Sequence, residues 1–325
     1  MTLHVFANIV TPFGTAANNR GETEGNATTL HKLVWQGQPH TSVSAEAIRF
    51  ALRRRLAAVD GQQVHRIWNE DTRRNEWNDA DSKGVPKFDA KSAIKFVDDD
   101  LLGYMSAEAA KEEGGKGSAN VRRAILEVTR AISLTPWPGD VVFNAASPRA
   151  TGAAAKGDSD NTVPYAAEIH ATRYQYGLAI TPKSLHEPER AAVALRALAT
   201  LGTVAGNHSR FLFDFSPASI VLRVTDDPAP RLPGPADRRR RLLYCCESTD
   251  EGRTVDGPML VQRVEWGDIE PKELILGGEI VQSEAGRKLR ELGAWPATDA
   301  SGAGVKAAVE EACDRVAGAT ADKGG

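Results

Sequence analysis

The chain has 325 residues, of which 41% are hydrophobic and 26% charged, a balance that excludes disorder throughout and suits one large core or two smaller ones. A formal net charge of -3 excludes the overall basic character of many nucleic-acid binders, so any nucleic-acid surface must be local and balanced by acidic surface elsewhere. Three cysteines, Cys245, Cys246 and Cys313, form neither a zinc-ligand spacing nor a disulfide framework, and no stretch approaches the ~18 apolar residues of a membrane span. With no Lys or Arg in Met1 to Gly14, no leader is expected either; the chain reads as cytoplasmic, with no membrane association.

Leu3 to Val10 (LHVFANIV), closed by Thr11-Pro12, predicts a buried strand at the start of the fold. A polar loop follows, with turn signals at Asn18-Asn19-Arg20-Gly21 and Gly25-Asn26, and one packed turn at Leu30 to Trp35. From Ser42 to Val59 the spacing predicts a helix: Ser42 or Ser44 can cap it, Glu46 suits its first turn, and Ile48, Leu52 and Leu56 recur every four residues. Arg49 and Arg53 share the neighbouring stripe, with Arg54 and Arg55 just beyond. These four cations read equally well as a solvated helix face or as one wall of a phosphate-tracking groove.

Residues 61–138 shift to charge and small residues and read as a long insertion, with helices expected over Ser118 to Leu134 and near Lys91 to Tyr104. Asp140 to Asn144 and Tyr165 to Thr181 are the next two strand candidates, and Ala145 to Pro164 between them reads as a loop projecting from a strand pair. Pro188 to Val204 is expected to be helical and Ala218 to Thr225 a strand. The resulting order is βαββαβ, an α+β, ferredoxin-like arrangement that also underlies RNA-recognition-motif (RRM-like) folds. The remainder carries the run Arg238 to Arg241, read as exposed and mobile, an apolar stretch at Met259 to Val264, and a helix with a frayed tail after Pro296.

Searches for catalytic chemistry give nothing specific. Gly114 to Ser118 departs from a phosphate loop because Gly follows the lysine and no strand precedes it, the seven histidines have no metal spacing, and no nucleophile elbow occurs. Three consecutive acids, Asp98 to Asp100, cannot all point inward from one helix face, so solvation and capping are expected for them instead of a metal site. His170, Thr172, Tyr174 and Tyr176 alternate onto one side of the long strand, where core packing is favoured over base stacking.

Several segments, in this order, resemble the DevR family of CRISPR-associated proteins, which supplies the backbone subunit of type I Cascade. They are Thr11 to Glu22, Glu24-Gly25-Asn26, His40 to Arg49, Asp98 to Met105, and Glu168 to Tyr176. The carboxyl-terminal third is similar by layout more than by motif.

The resemblance implies a ferredoxin-like palm with a helical finger insertion and a thumb hairpin. Its parts would be a first palm half at 1–60, fingers at 61–138, a palm strand at 139–144, the thumb at 145–164, a second palm half at 165–230 and a palm extension at 231–325. It further implies a non-catalytic subunit without cofactor or metal that stacks head to tail along a CRISPR RNA and presents that guide for pairing with target DNA. Beside its own copies, its neighbours would be the crRNA 5′-end cap subunit, the large subunit and the crRNA-processing endonuclease. The guide contacts it implies are Asn18, Asn19, Arg20, Ser44, Arg49 and Arg53, with Arg54 alongside, and His170 and Arg173 in the last matched segment; in the thumb they are Arg149 and Lys156. Two other readings stand beside this one: a DNA-binding transcriptional regulator, and a metal-dependent ribonuclease using Asp158 or Asp160.

Overall fold

The structure is a computed structural model that describes residues 2–17, 23–35, 37–79, 91–106, 120–146, 163–204, 211–232, 255–297 and 303–321. The chain opens with β1 (His4–Val10), β2 (Gly14–Ala16), β3 (Thr23–Glu24), β4 (Ala27–Thr28) and the hairpin β5 (Lys32–Trp35) and β6 (Gln38–Val43), which leads into helix α1 (Ala45–Ala57). A second hairpin, β7 (Arg66–Asn69) and β8 (Arg74–Trp77), precedes the short helices α2 (Ser92–Lys95) and α3 (Val97–Leu102). Strands β9 (Tyr104–Ser106), β10 (Asn120–Arg122), β11 (Leu126–Val128), β12 (Ala131–Ser133), β13 (Val141–Ala146), β14 (Val163–Glu168), β15 (His170–Thr172) and β16 (Tyr174–Ile180) follow. The rest comprises α4 (Arg190–Leu198), β17 (Ser219–Thr225), α5 (Pro258–Glu265), β18 (Leu274–Gly278), α6 (Glu284–Glu291) and α7 (Val305–Ala321).

The fold is a mixed α/β arrangement built on antiparallel sheets. Its central sheet runs β18-β17-β1-β16-β12-β6-β5, with β11 also paired to β16. Strand alternation sends Val5, Ala7 and Ile9 of β1 into a core shared with α1, α4 and α7, while Phe6 and Val10 face a second core filled from α5, α6 and β18. Burial on both faces is why β1 is a nearly continuous apolar run. The one polar residue in its centre, Asn8, accepts a hydrogen bond from Gln175 of β16 at 2.7 Å, which meets the need of a buried amide for a partner.

Helix α1 forms as its sequence dictates. Ser44 accepts from the Ala47 amide at 3.3 Å as the N-cap, and Ile48, Leu52 and Leu56 are fully buried.

Several expectations change. The stretch read as a polar loop with one packed turn at Leu30 to Trp35 contains strands β2 to β6, Lys32–Trp35 being one arm of the β5–β6 hairpin, and the helix expected near Lys91 to Tyr104 is the pair α2 and α3. The helix expected over 118–134 is replaced by β10, β11 and β12, because a short apolar run suits either element and Leu126 and Ala131 gain burial by pairing beside β16 and β6. Residues 126–133 therefore belong to the central sheet and not to an insertion. The expected long strand from Tyr165 to Thr181 is divided at Ile169 and Arg173, so that β14 pairs with β13 and β4, β15 with β2, and β16 with β1. Finally, the strand read at Asp140 to Asn144 pairs with the start of the next strand as expected, but the two lie in a separate four-stranded sheet, β13-β14-β4-β3, and β11 and β12 are the strands beside β16.

Candidate nucleic-acid interface

With one face of α1 committed to the core, its next stripe is turned toward α3 and the two hairpins. Arg49 and Arg53 leave that stripe together. Arg53 Nε donates to Asp98 Oδ2 at 2.9 Å, and Arg49 donates to the Leu102 carbonyl. Opposite them, Arg66 at the start of β7 lies over the indole of Trp77 at the end of β8, 4.5 Å from the ring centroid. The side chains line a groove of about 510 Å³ whose walls carry four arginines, Arg49, Arg53, Arg66 and Arg122, three acids, Glu46, Asp98 and Asp99, and Trp77, Tyr104 and Met105.

Burial lowers the affinity of the Arg49 and Arg66 guanidiniums for their protons, and the charge of Arg53 lowers it further in both cases. Arginine remains cationic despite such shifts, and Glu46 and Glu127 near Arg49, like Asp98 and Asp99 near Arg66, act in the opposite sense to Arg53. Among the described residues, neither Arg49 nor Arg66 has a carboxylate oxygen within 4.0 Å. Half-buried guanidiniums with no carboxylate oxygen in direct contact can take an anion entering from outside, and phosphate matches the guanidinium fork.

The acids behind the groove correct the expectation of solvated Asp98, Asp99 and Asp100. All three are buried. They do point in different directions, as consecutive helical residues must, but each direction meets its own donors. Asp98 also accepts from the His65 amide at 2.7 Å and the Arg66 amide at 3.3 Å, so one carboxylate ties α1 to the β7 strand. Asp99 binds His65 Nδ1 at 2.7 Å, while Asp79 binds Nε2 at 2.5 Å and Phe96 stacks on the ring. Burial pulls the His65 imidazole toward the neutral form, but the hydrogen bonds and charges of Asp99 and Asp79 together outweigh it and raise the pKa. Asp100 accepts from Arg190 at 2.9 Å, Arg122 at 2.5 Å and the His186 and Glu187 amides, joining α3 to α4.

The residues singled out in the sequence do not all converge. Arg49 and Arg53 line the groove, whereas the Ser44 hydroxyl is occupied as the cap of α1. Arg54 projects outward, 63% exposed and 3.7 Å from Glu70. His170 and Arg173 lie elsewhere and are buried. His170 Nδ1 is 2.7 Å from the Thr41 hydroxyl and Nε2 is 3.1 Å from the Pro136 carbonyl; burial, with a smaller contribution from His40, drops its pKa to about 4. Arg173 donates to the Thr11 carbonyl at 3.1 Å and pairs with Glu279 at 2.9 Å. Tyr174 and Tyr176 pack in the core with Phe215, in keeping with the packing reading. Asn18, Asn19, Arg20, Arg149, Lys156, Asp158, Asp160 and Arg238 to Arg241 lie outside the described residues.

Sequence reasoning missed the opposite wall of the groove. Arg66, Trp77, Tyr104 and Met105 sit in the segment read as a long insertion, and none of them was singled out as a contact. The available signal was the alternating, aromatic and basic character of His65 to Trp68 and of Arg74 to Trp77, which marks a hairpin.

Comparison with known proteins bears on the whole chain. Residues 11–239 match the family profile described as CRISPR-associated negative auto-regulator DevR/Csa2. A CRISPR-associated protein Cas7/Cst2/DevR of Myxococcus xanthus (strain DK1622) is 53% identical over 321 residues, spanning 97% of this chain and 98% of the relative. A chain from a solved CRISPR RNA-guided surveillance complex shares the fold, with a TM-score of 0.53 at 16% identity, over 95% of this chain and 99% of the other. Among the described residues no helix is long and apolar enough to cross a membrane.

Proposed function

Because the chain belongs to the DevR/Csa2 family of CRISPR-associated proteins, we propose that it is a non-catalytic RNA-binding subunit forming the backbone of a type I Cascade complex. The observation that carries this reading is the convergence of Arg49, Arg53 and Arg66 on one groove, two of them with no carboxylate oxygen within 4.0 Å among the described residues. Such a groove holds a phosphate backbone without reading sequence and leaves base identity to guide–target pairing.

In this reading the order β17-β1-β16-β11, with α1 and α4 packed in one core against it, is the ferredoxin-like, RRM-like palm. Hairpins β7–β8 and β9–β10 with α2 and α3 form the fingers, and β13–β14 is the stem of the thumb. Copies stack head to tail along the crRNA in the cytoplasm. A heterologous contact of that kind yields an open helix. Target DNA, the 5′-end cap subunit, the large subunit and the processing endonuclease complete the set of partners.

Two measurements test the proposal. Protein purified from its host is expected to carry RNA of uniform length and to form long assemblies. Arg49→Glu is expected to release the RNA while the far-ultraviolet spectrum is retained, and a nucleic-acid-free monomer indifferent to that change refutes the reading. The family description as a negative auto-regulator supports a second reading, a promoter-binding protein. Major-groove readers present a projecting helix, whereas Arg49 and Arg53 face a groove closed by two hairpins. Gel shifts against upstream and random duplex DNA separate the two readings.

A further inference from the structure

At the base of hairpin β7–β8, His65 makes a set of contacts that the RNA-binding reading leaves unused. Its imidazole is fully buried, stacked flat on Phe96 and met edge-on by Trp77. Both ring nitrogens face carboxylates: Nδ1 is 2.7 Å from Asp99 Oδ2 on α3, and Nε2 is 2.5 Å from Asp79 Oδ1, two residues beyond β8. A carboxylate only accepts, so both contacts are hydrogen bonds only when both nitrogens carry protons, as in the imidazolium. The neutral ring has a single N–H and turns a lone pair on the other acid. The other charged groups packed around the ring are set against partners of their own: Arg53 pairs with Asp98 at 2.9 Å, Arg66 lies over Trp77, and Lys95 lies over Phe96.

The two acids are not equally free to leave. Asp99 is 5% exposed and fixed within α3, whereas Asp79 is 24% exposed and follows the end of β8. The first arm of the hairpin is anchored whatever the ring does, because the His65 and Arg66 amides both donate to Asp98. The second arm returns to that anchor through the Asn78 amide on the His65 carbonyl at 2.9 Å, the Asn78 side chain on the Val64 carbonyl, and Asp79 on the ring. Of these three ties, only the last depends on a proton that comes and goes near neutral pH. We propose that His65 is a protonation-dependent latch: as the imidazolium it pins the end of hairpin β7–β8 to α3, and on losing its Nε2 proton it releases Asp79 and loosens that arm. Trp77 sits on the same arm, with Arg66 paired to it across the ladder, so one wall of the groove loosens with it. The latch stands apart from the RNA-binding reading and acts on the hairpin whatever the groove holds.

Burial favours the neutral ring, but Asp99 and Asp79 together outweigh it and hold the imidazolium above the ordinary 6.5. The latch is therefore shut below about pH 6.5 and opens as pH rises through the folded value. The test uses the full chain carrying isotopically labelled histidine, with the His65 resonances assigned through His65→Gln. The ring is expected to carry both protons at about pH 6.5 and, on titration, to keep the Nδ1 proton and lose the Nε2 one. Hydrogen exchange over residues 66–79 is divided by that of hairpin β5–β6 in the same sample, which cancels the base catalysis common to both. That ratio is expected to rise roughly tenfold as His65 loses its proton, the scale of one charge-assisted hydrogen bond. Asp79→Asn is expected to abolish the rise, because an amide can turn its oxygen toward a protonated Nε2 or its NH2 toward a bare one and hold the arm in both states.

A His65 ring already neutral at about pH 6.5 overturns the latch, as does an imidazolium that persists until the whole chain unfolds. So does an exchange ratio that stays flat while His65 loses its proton, or one that rises equally in Asp79→Asn.

Discussion

Asp98→Asn isolates the charge of one buried carboxylate while keeping its shape. Asp98 is fully buried and accepts from Arg53 Nε, the His65 amide and the Arg66 amide at 2.9, 2.7 and 3.3 Å. Removing one partner of a buried ion pair costs about 3–5 kcal/mol. The Arg53 side chain is 16% exposed, so water can partly replace the lost partner, and the asparagine oxygen still accepts from one amide. These two features put the cost near the lower end, about 3 kcal/mol. With a urea slope of about 3 kcal/mol/M, the unfolding midpoint falls by about 1 M. Arg53, no longer neutralised, adds one cation to the groove, so the dependence of RNA affinity on salt steepens by about one unit in the log–log slope. The combination of lower stability and steeper salt dependence separates this mechanism from simple misfolding, which weakens both. An unchanged midpoint with an unchanged salt slope refutes the role given to Asp98.

Asp100→Ala removes the acceptor of two arginines and two amides and is expected to cost about 3–5 kcal/mol in the same urea assay; pairing it with Arg190→Met recovers part of that loss. Two histidines shape the pH profile in opposite directions. His65 is raised above 6.5, so its contribution is complete below about pH 6.5 and is lost as pH rises through its folded value. His170 is lowered to about 4, so only the unfolded chain takes up that proton and stability falls as pH drops from 6.5 toward 4. Urea midpoints across pH are expected to show both limbs, and His65→Gln to flatten the alkaline one. At Gly278, φ 79° and ψ −147° are nearly confined to glycine, and a Cβ would overlap the Ala218 carbonyl oxygen. Gly278→Ala is expected to cost about 1–3 kcal/mol in backbone strain alone and more through the clash, whereas Gly267→Ala, in open space at φ 76°, costs about 1–2 kcal/mol, a contrast read from thermal unfolding.

Much of what surrounds the groove was legible in the chain itself. β1, α1 with its Ser44 cap, α4 and β17 each follow from residues within a few positions of one another: a run of β-formers, a capping hydroxyl, apolar side chains every three to four residues. Local steric and hydrogen-bonding preferences decide such elements, so a single stretch of sequence is enough. The arginine stripe of α1 was visible for the same reason, and so were the matched segments that point to the DevR family.

What the chain could not specify locally was pairing and charge burial. Leu126 to Ser133 has the composition of either element and becomes two strands because β16, about 40–55 residues later, offers its edge. Asp98 and Asp100 resemble solvated acids until Arg53 and Arg190 arrive from 45 and 90 residues away. A carboxylate is buried only where donors meet it, and those donors come from other elements. The same holds for the groove. Sequence alone determined an arginine-bearing helix after the first strand; the tertiary structure decided that Arg66, Trp77, Met105 and Val121 stand across from it, because the β7–β8 and β9–β10 hairpins fold back over that face.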